Sequence, residues 1–365
     1  MVDGTPLRVL GVSASDIQSG AERVLLRRAR RGEESGTGHW TIASPPGPFA
    51  EAVKAEGVDH VPLISTKLGV GGKAVAGSRL VLNTARAALQ LRRLAPDFDV
   101  VVVNSVMSLP AARLGLGRSK VVWLVHDVIT RPGLRRVARL SKSVVDLAVG
   151  VSAASAALPD RLGMPTSVVY NGVPAPVPPA RPQDEPPIVG VNAVLTPWKG
   201  QKEFLEAMRL VEFPFEIELL GGVLAKDDTY ERQLRDLAED PSLAGRVRFL
   251  GHVDDPLEVM RRWSIAASAS IEPEAGPLAV LEAMSIGLPV VVTDHGGAVE
   301  IAGEVALRAE PGDRQAMAVA VEKLLRSPAD REMRGRQGRE IVEQRFGLER
   351  AYEQFAGVLR DVVDA

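Results

Sequence analysis

Glu274 and Glu282, separated by seven residues, give the segment Ser270–Glu300 (SIEPEAGPLAVLEAMSIGLPVVVTDHGGAVE) its chemistry. Each carboxylate offers two acceptor oxygens, enough to take paired hydrogen bonds from hydroxyl groups. Between them Ala275-Gly276 leads into Pro277, and the pattern predicts a helix from Pro277 to about Ile286. Proline suits a first helical position because its missing N–H would have been unpaired anyway. Glu282 then lies ~7–8 Å along the helix at about 1.5 Å per residue. The helix start at Gly276, Pro277 and Leu278 presents free N–H groups and a partial positive charge, suited to a phosphate or to crowded sugar oxygens. A carboxylate beside a phosphate repels it unless it points at hydroxyls. The layout therefore fits a ligand carrying both, with one carboxylate on a sugar and the other on a ribose.

Lys199 stands where a strand (Pro187–Val194) passes through LTPWKGQ into a helix, a junction where a phosphate meets both a cation and helix N–H groups. His126-Asp127 follows the buried strand Lys120–Val125, and ligands of open α/β sheets bind beyond the carboxyl ends of strands. A polar loop, Ser13–Gly20, contains Asp16 and precedes a helix over Ala21–Arg31; Gly20 permits close approach of a backbone or ligand. The stretch Arg131–Lys142 carries Arg131, Arg135, Arg136 and Arg139. It reads first as a solvated face. The sharper readings are a contact with an anionic acceptor such as a sugar phosphate, or weak peripheral contact with an anionic membrane. His39, His60 and His295 read as structural. Asp227-Asp228 and Asp254-Asp255 read as a loop before a helix and a helix start rather than as metal ligands. Neither the G-x-G-x-x-G fingerprint nor a P-loop is present.

These residues need a scaffold that alternates strands and helices. Short apolar runs recur at His39–Ala43, His60–Ile64, Val100–Val103, Val144–Ser152, Phe215–Leu220, Arg246–Leu250, Ser264–Ser270 and Leu288–Thr293, with helical patterns between them. Continuous apolar runs suit parallel sheets covered on both faces. Leu80–Leu94 predicts a long helix, and the glycine-rich Thr66–Ser78 before it a flexible loop. Residues 174–187 hold seven prolines, which predicts a linker between domains at 1–173 and 188–347. A length of 365 residues fits two domains, and 45% hydrophobic residues fit well-filled cores. The net charge of −2 gives no bulk basic field for nucleic acid. The absence of cysteine removes disulfides and thiolate metal sites. With no signal peptide and no long uncharged apolar run, a cytoplasmic location is expected.

The segment EPEAGPLAVLEAMSIGLPVVVTDHGGAVEI resembles the E-x7-E signature of glycosyltransferase family 4, retaining nucleotide-sugar transferases with the GT-B fold. SGAERVL is similar to the family's GGAERV segment, with Ser19 in place of the first glycine. RVRFLGHVDD resembles the strand and loop beside the nucleobase, and SVVYNGV the hinge. The family's Glu-x-Phe-Gly becomes Glu274-Ala275-Gly276-Pro277, and the arginine that usually precedes the lysine of GRL-x-x-x-KG aligns with Val194.

The resemblance implies two doubly wound, Rossmann-like α/β domains facing a central cleft, with the last helix, about 348–365, packed back on the first domain. It implies that Glu274 holds the transferred sugar, Glu282 the ribose and Lys199 the donor diphosphate. Gly20, Gly251, His252, Gly276, Pro277 and Leu278 complete the donor side. His126 would orient the sugar or acceptor, with Asp16, Asp127 and Arg131 on the acceptor side. The expected reaction moves a hexose or N-acetylhexosamine from a nucleoside diphosphate sugar, UDP ahead of GDP, to a hydroxyl of a small-molecule, sugar or lipid-linked acceptor. No cofactor or metal is expected. Two alternatives stay open: a nucleotide-sugar epimerase on the same fold, and a non-catalytic nucleotide-sugar-binding relative, to which Val194 and Ser19 point.

Overall fold

The computed structural model describes residues 6–66, 73–181, 186–223 and 228–365. The chain divides into two compact units. One comprises the residues up to Asn171 together with Ala351–Ala365; the other is Gly172–Arg350.

The first unit opens with β1 (Leu7–Val12), α1 (Gly20–Ser35), β2 (Gly38–Ser44), α2 (Pro48–Ala55), β3 (Asp59–Pro62), α3 (Lys73–Leu94) and β4 (Val100–Val103). It continues with α4 (Leu109–Gly115), β5 (Lys120–Val125), α5 (Pro132–Ser141), β6 (Leu147–Gly150), α6 (Ala153–Arg161) and β7 (Thr166–Val168). All seven strands pair in parallel, in the order β3-β2-β1-β4-β5-β6-β7. The order reverses at β1, so β1 and β4 diverge at a topological switch point, where open sheets of this kind leave a crevice. β4 (VVVV) and nearly all of β5 are fully buried because helices cover both faces.

The second unit holds β8 (Ile188–Asn192), α7 (Gln201–Met208), β9 (Glu216–Leu220), α8 (Thr229–Ala238), β10 (Val247–Gly251), α9 (Pro256–Met260), β11 (Ile265–Ser268) and α10 (Leu278–Ser285). After these come β12 (Val290–Thr293), α11 (Gly296–Ala302), β13 (Leu307–Ala309), α12 (Arg314–Arg326), α13 (Pro328–Arg345) and α14 (Leu348–Asp364). Its six-stranded sheet runs β10-β9-β8-β11-β12-β13, again parallel, with the switch between β8 and β11. Within this sheet Glu218 is fully buried on β9, where it takes hydrogen bonds from Arg262 and from the Trp263 indole at 2.7 Å.

The C-terminal part of α14 belongs to the first unit. Tyr352 hydrogen-bonds Thr37, and the Phe355 ring stacks on Trp40 with centroids 6.4 Å apart.

Several boundaries differ from the sequence expectation. The helix expected at Leu80 begins at Lys73, so residues 73–78 are helical rather than loop, and 67–72 lie outside the described residues. α1 runs on to Ser35 instead of ending at Arg31, because it stops only where Gly36 takes the left-handed conformation at φ +65°. Pro277 is the N-cap of α10, not its first helical residue, with an extended ψ of 111°. α4 and β13 have no counterpart in the expectation.

Candidate active site

Glu274 sits in the loop between β11 and α10 and is fixed from both its side chain and its backbone. Ser268 and Ser270 donate their hydroxyls to Oε1, and the Lys199 ammonium pairs with Oε2. Ser270 is itself held, since its carbonyl accepts from Thr293 Oγ1 at 2.8 Å and from the His295 imidazole at 2.7 Å. His295 is thus structural, as expected, but the structure it keeps is that of the site. The backbone contact comes from the start of α11, where Gly297 N–H donates to the Glu274 carbonyl at 2.7 Å. A Cβ on Gly297 would lie 1.8 Å from the Ala275 carbonyl oxygen, and one on Gly296 (φ +64°) 2.6 Å from that of Glu274. Only two successive glycines let α11 begin against this loop.

Lys199 arrives by the same device. Pro197–Lys199 form one 3-10 turn that ends at Gly200, φ +69°, whose Cβ would lie 1.9 Å from the Ala269 carbonyl oxygen. Ile271 N–H donates to the Trp198 carbonyl at 2.9 Å. The turn is therefore docked on the segment that leads to Glu274. The Lys199 ammonium lies 4.3 Å from the Trp198 ring centroid, and its side chain and that of Glu274 are only 16% and 11% exposed. The sequence assigns these two residues to different parts of a ligand; the structure brings them into one ion pair. Val194, where an arginine is usual, is half-buried and its carbonyl accepts from Gln201 Nε2 at 2.8 Å. Among the described residues, the cation paired with Glu274 is Lys199.

Glu282 is the fifth residue of α10 and is buried. Gly251 ends β10 and His252 follows it. Gly251 pairs with Gly221, whose N–H donates to its carbonyl at 2.8 Å, and His252 is exposed. Asp255 caps α9 through the Glu258 N–H; Asp228 precedes α8 with its carboxylate paired to Arg232 rather than to the helix N–H groups, and Asp227 lies outside the described residues. Among the described residues, no three His, Cys, Asp or Glu side chains cluster as a metal site.

In the first unit, His126 follows β5 and its Nε2 lies 2.8 Å from Asn104 Oδ1. Burial, reinforced by the charge of Arg28, pulls the imidazole pKa down to about 3. The ring is neutral at physiological pH and donates from Nε2, leaving Nδ1 with a lone pair. Arg28 is itself buried over the Phe355 ring, 4.0 Å from its centroid, and desolvation lowers its pKa to about 9. Asp127 is raised above the usual carboxylate range by desolvation and by Glu22, against the pull of Arg131.

Glu22 is a residue the sequence reading passes over. It is buried on the first turn of α1, where it accepts from the Ser13 hydroxyl at 3.0 Å and from both the N–H and the hydroxyl of Ser19. Ser19 caps α1 through this carboxylate, a physical reason for serine where the family has glycine. Gly20 is exposed, and a Cβ there would meet nothing within 4 Å, so its local fold does not require glycine. Asp16 is half-buried, and its carbonyl accepts from Phe49 N–H at the start of α2.

Two family models match the chain. The model for glycosyl transferases group 1 matches residues 178–341, and that for glycosyltransferase family 4 matches residues 18–175. The capsular polysaccharide biosynthesis glycosyltransferase CapM of Staphylococcus aureus is 23% identical over 172 residues, which is 46% of this chain and 44% of that one. A GDP-mannose-dependent monoacylated phosphatidylinositol monomannoside mannosyltransferase of Corynebacterium glutamicum is 28% identical over 48% of each chain. The chain spans about half the length of the curated relatives it matches. The crystal structure of Anabaena Alr3699/HepE in complex with UDP superposes with a TM-score of 0.84, covering 97% of this chain and all of that one at 22% identity. No helix among the described residues is long and apolar enough to cross a membrane. The paired family models and the two parallel sheets place this chain among the family 4 glycosyltransferases of GT-B fold.

Proposed function

We propose that this chain transfers a hexose or N-acetylhexosamine from a nucleoside diphosphate sugar to a hydroxyl group, with retention at the anomeric carbon. The observation that carries this reading is the Lys199–Glu274 ion pair, held by backbone contacts a few residues before the N-terminus of α10. A donor diphosphate competes with Glu274 for the Lys199 ammonium. As it takes that cation, it frees the carboxylate to accept hydrogen bonds from the sugar hydroxyls. The α10 N-terminus adds N–H donors to the same charge. Glu282 takes the ribose hydroxyls.

His126 is assigned, on the family pattern, to orienting the sugar or acceptor as a neutral imidazole. Asp16, Asp127 and Arg131 are assigned to the acceptor and Gly20 to the donor on the same ground. In the transfer, the bond from the anomeric carbon to the phosphate oxygen breaks while a bond to the acceptor oxygen forms on the same face. The acceptor proton passes to the departing phosphate. Trapping a covalent glycosyl-enzyme would exclude this front-face route.

UDP is the preferred base in this reading, in keeping with the UDP-bound Anabaena structure. GDP is the second reading, because the Corynebacterium relative uses GDP-mannose. Thermal unfolding with UDP, GDP, ADP and dTDP separates them, since a ligand at 100 times its Kd adds about 2.7 kcal/mol of stability. Stabilisation by one diphosphate names the donor base. No shift with any of them overturns the donor site. Conversion of the sugar nucleotide without acceptor would mark an epimerase. Tight binding with no nucleotide release in an acceptor screen would mark a binding protein.

A further inference from the structure

The chain is nearly neutral, but its charge is not evenly spread. Residues 77–142 carry twelve Arg or Lys against three Asp or Glu, a net charge of +9 in a chain of −2. This stretch contains α3, α4 and α5, which pack side by side, α3 on α4 and α4 on α5. Their inner faces supply core residues such as Leu91, Leu109 and Ala138. Their outer faces hold exposed cations and exposed apolar side chains together.

On α3, Arg79, Leu82, Arg86, Leu89 and Arg93 follow a spacing of three and four residues, so they lie along one line of the helix. All five are exposed, and Val81 beside them is 71% exposed. Leu114 on α4 and Leu140 on α5 are each 66% exposed. Five of the eleven large apolar side chains exposed among the described residues belong to these three helices. Elsewhere arginines are commonly paired: Arg30 with Glu34 and Glu56, Arg235 with Glu231, Arg326 with Glu322. Among the described residues, none of the four exposed arginines of α3 has a carboxylate partner, and α3 itself contains no acidic residue.

We propose that the outer face of α3, α4 and α5 docks on an anionic lipid surface. An arginine places its charge at the headgroups while its stem and the neighbouring leucines enter the acyl boundary. A soluble polyanion such as RNA satisfies the cations but leaves Leu82, Leu89, Leu114 and Leu140 in water. An acidic protein would have to match a face spread over three helices. A bilayer meets both demands at once. The inference concerns the first unit's surface and stands apart from the donor chemistry.

The test is co-sedimentation of the full chain with vesicles of phosphatidylcholine alone and of phosphatidylcholine with 40% phosphatidylglycerol. Binding is expected to the anionic vesicles only and to weaken with added salt. The triple variant R79Q/R86Q/R93Q is expected to lower partitioning about 100-fold, at about a factor of five per cation. L82Q/L89Q should lower it further at high salt, where the apolar contact carries the binding. Both variants keep exposed helical positions, and circular dichroism verifies their folding. Equal binding to both vesicle types, binding unchanged in both variants, or retention by RNA with none by vesicles would each overturn the proposal.

Discussion

Replacing Gly297 with alanine tests how the Glu274 loop is fastened. The new Cβ would stand 1.8 Å from the Ala275 carbonyl oxygen, 2.6 Å from its carbon and 3.3 Å from Gly276 N. Cβ atoms essentially never approach heavy atoms closer than 3.0 Å, so the loop and the α11 start must separate by about 1.2 Å. Both sides of the clash are backbone, and no rotamer change relieves it. The Gly297 N–H to Glu274 hydrogen bond is lost in the same movement. Overpacking costs roughly 1–3 kcal/mol and a lost hydrogen bond about 0.5–1.5, together about 2–4 kcal/mol. That lowers the Tm of a unit this size by roughly 5–15 °C. An ångström of displacement at a group that positions a reacting sugar lowers kcat about 100-fold. The assay is nucleotide release at saturating donor, with thermal unfolding alongside. Gly357→Ala on α14 is the control, because its Cβ meets open space and both quantities should stay near wild type. If Gly297→Ala keeps its Tm and loses less than threefold in kcat, the backbone contact does not hold Glu274.

Glu274→Ala should abolish measurable turnover while calorimetry still finds nucleotide binding. Glu282→Ala should weaken nucleotide binding roughly 10–100-fold, the worth of hydrogen bonds to a charged group. Full activity in both would refute the assignment. Trp198 is exposed and sits on Lys199, whereas Trp40, Trp123 and Trp263 are buried. Adding nucleoside diphosphate should therefore shift the fluorescence of the wild type and not of Trp198→Phe; an equal shift in both would place the ligand elsewhere. His126 has a folded pKa of about 3 against an ordinary 6.5, so the unfolded chain binds more protons between those values. Stability should fall as pH drops through that window, by up to about 1 kcal/mol from pH 6.5 to 5.5. Urea unfolding at both pH values should show this slope in the wild type and lose it in His126→Gln.

The sheet strands were the most legible part of the sequence. β4 and β5 are continuous apolar runs that only a doubly covered parallel sheet explains, and β5 ends where expected, at Val125. β13 was not legible because three residues with Arg308 in the middle carry no periodicity. α3 starts seven residues before Leu80, hidden by a glycine-containing segment whose small residues still tolerate a helix. The E-x7-E spacing was visible as letters, but the pairing of Glu274 with Lys199 joins residues 75 apart and exists only after β8 and β11 lie side by side. His295 could be read as structural, but not as the group that holds Ser270. Gly200 and Gly297 could be read as turns; the carbonyls that exclude a side chain from them come from other loops.

The residues around Glu274 are secured largely by main-chain atoms: the Ala269 carbonyl against Gly200, the Trp198 carbonyl on Ile271, and the Gly297 N–H on Glu274. Main-chain atoms are the same in every residue. The side chains at 276–277 can therefore differ, Gly-Pro here where the family has Phe-Gly, while the glutamate stays in place. What this fastening does require is a pair of glycines with no room for a side chain, 74 residues before Glu274 and 23 after.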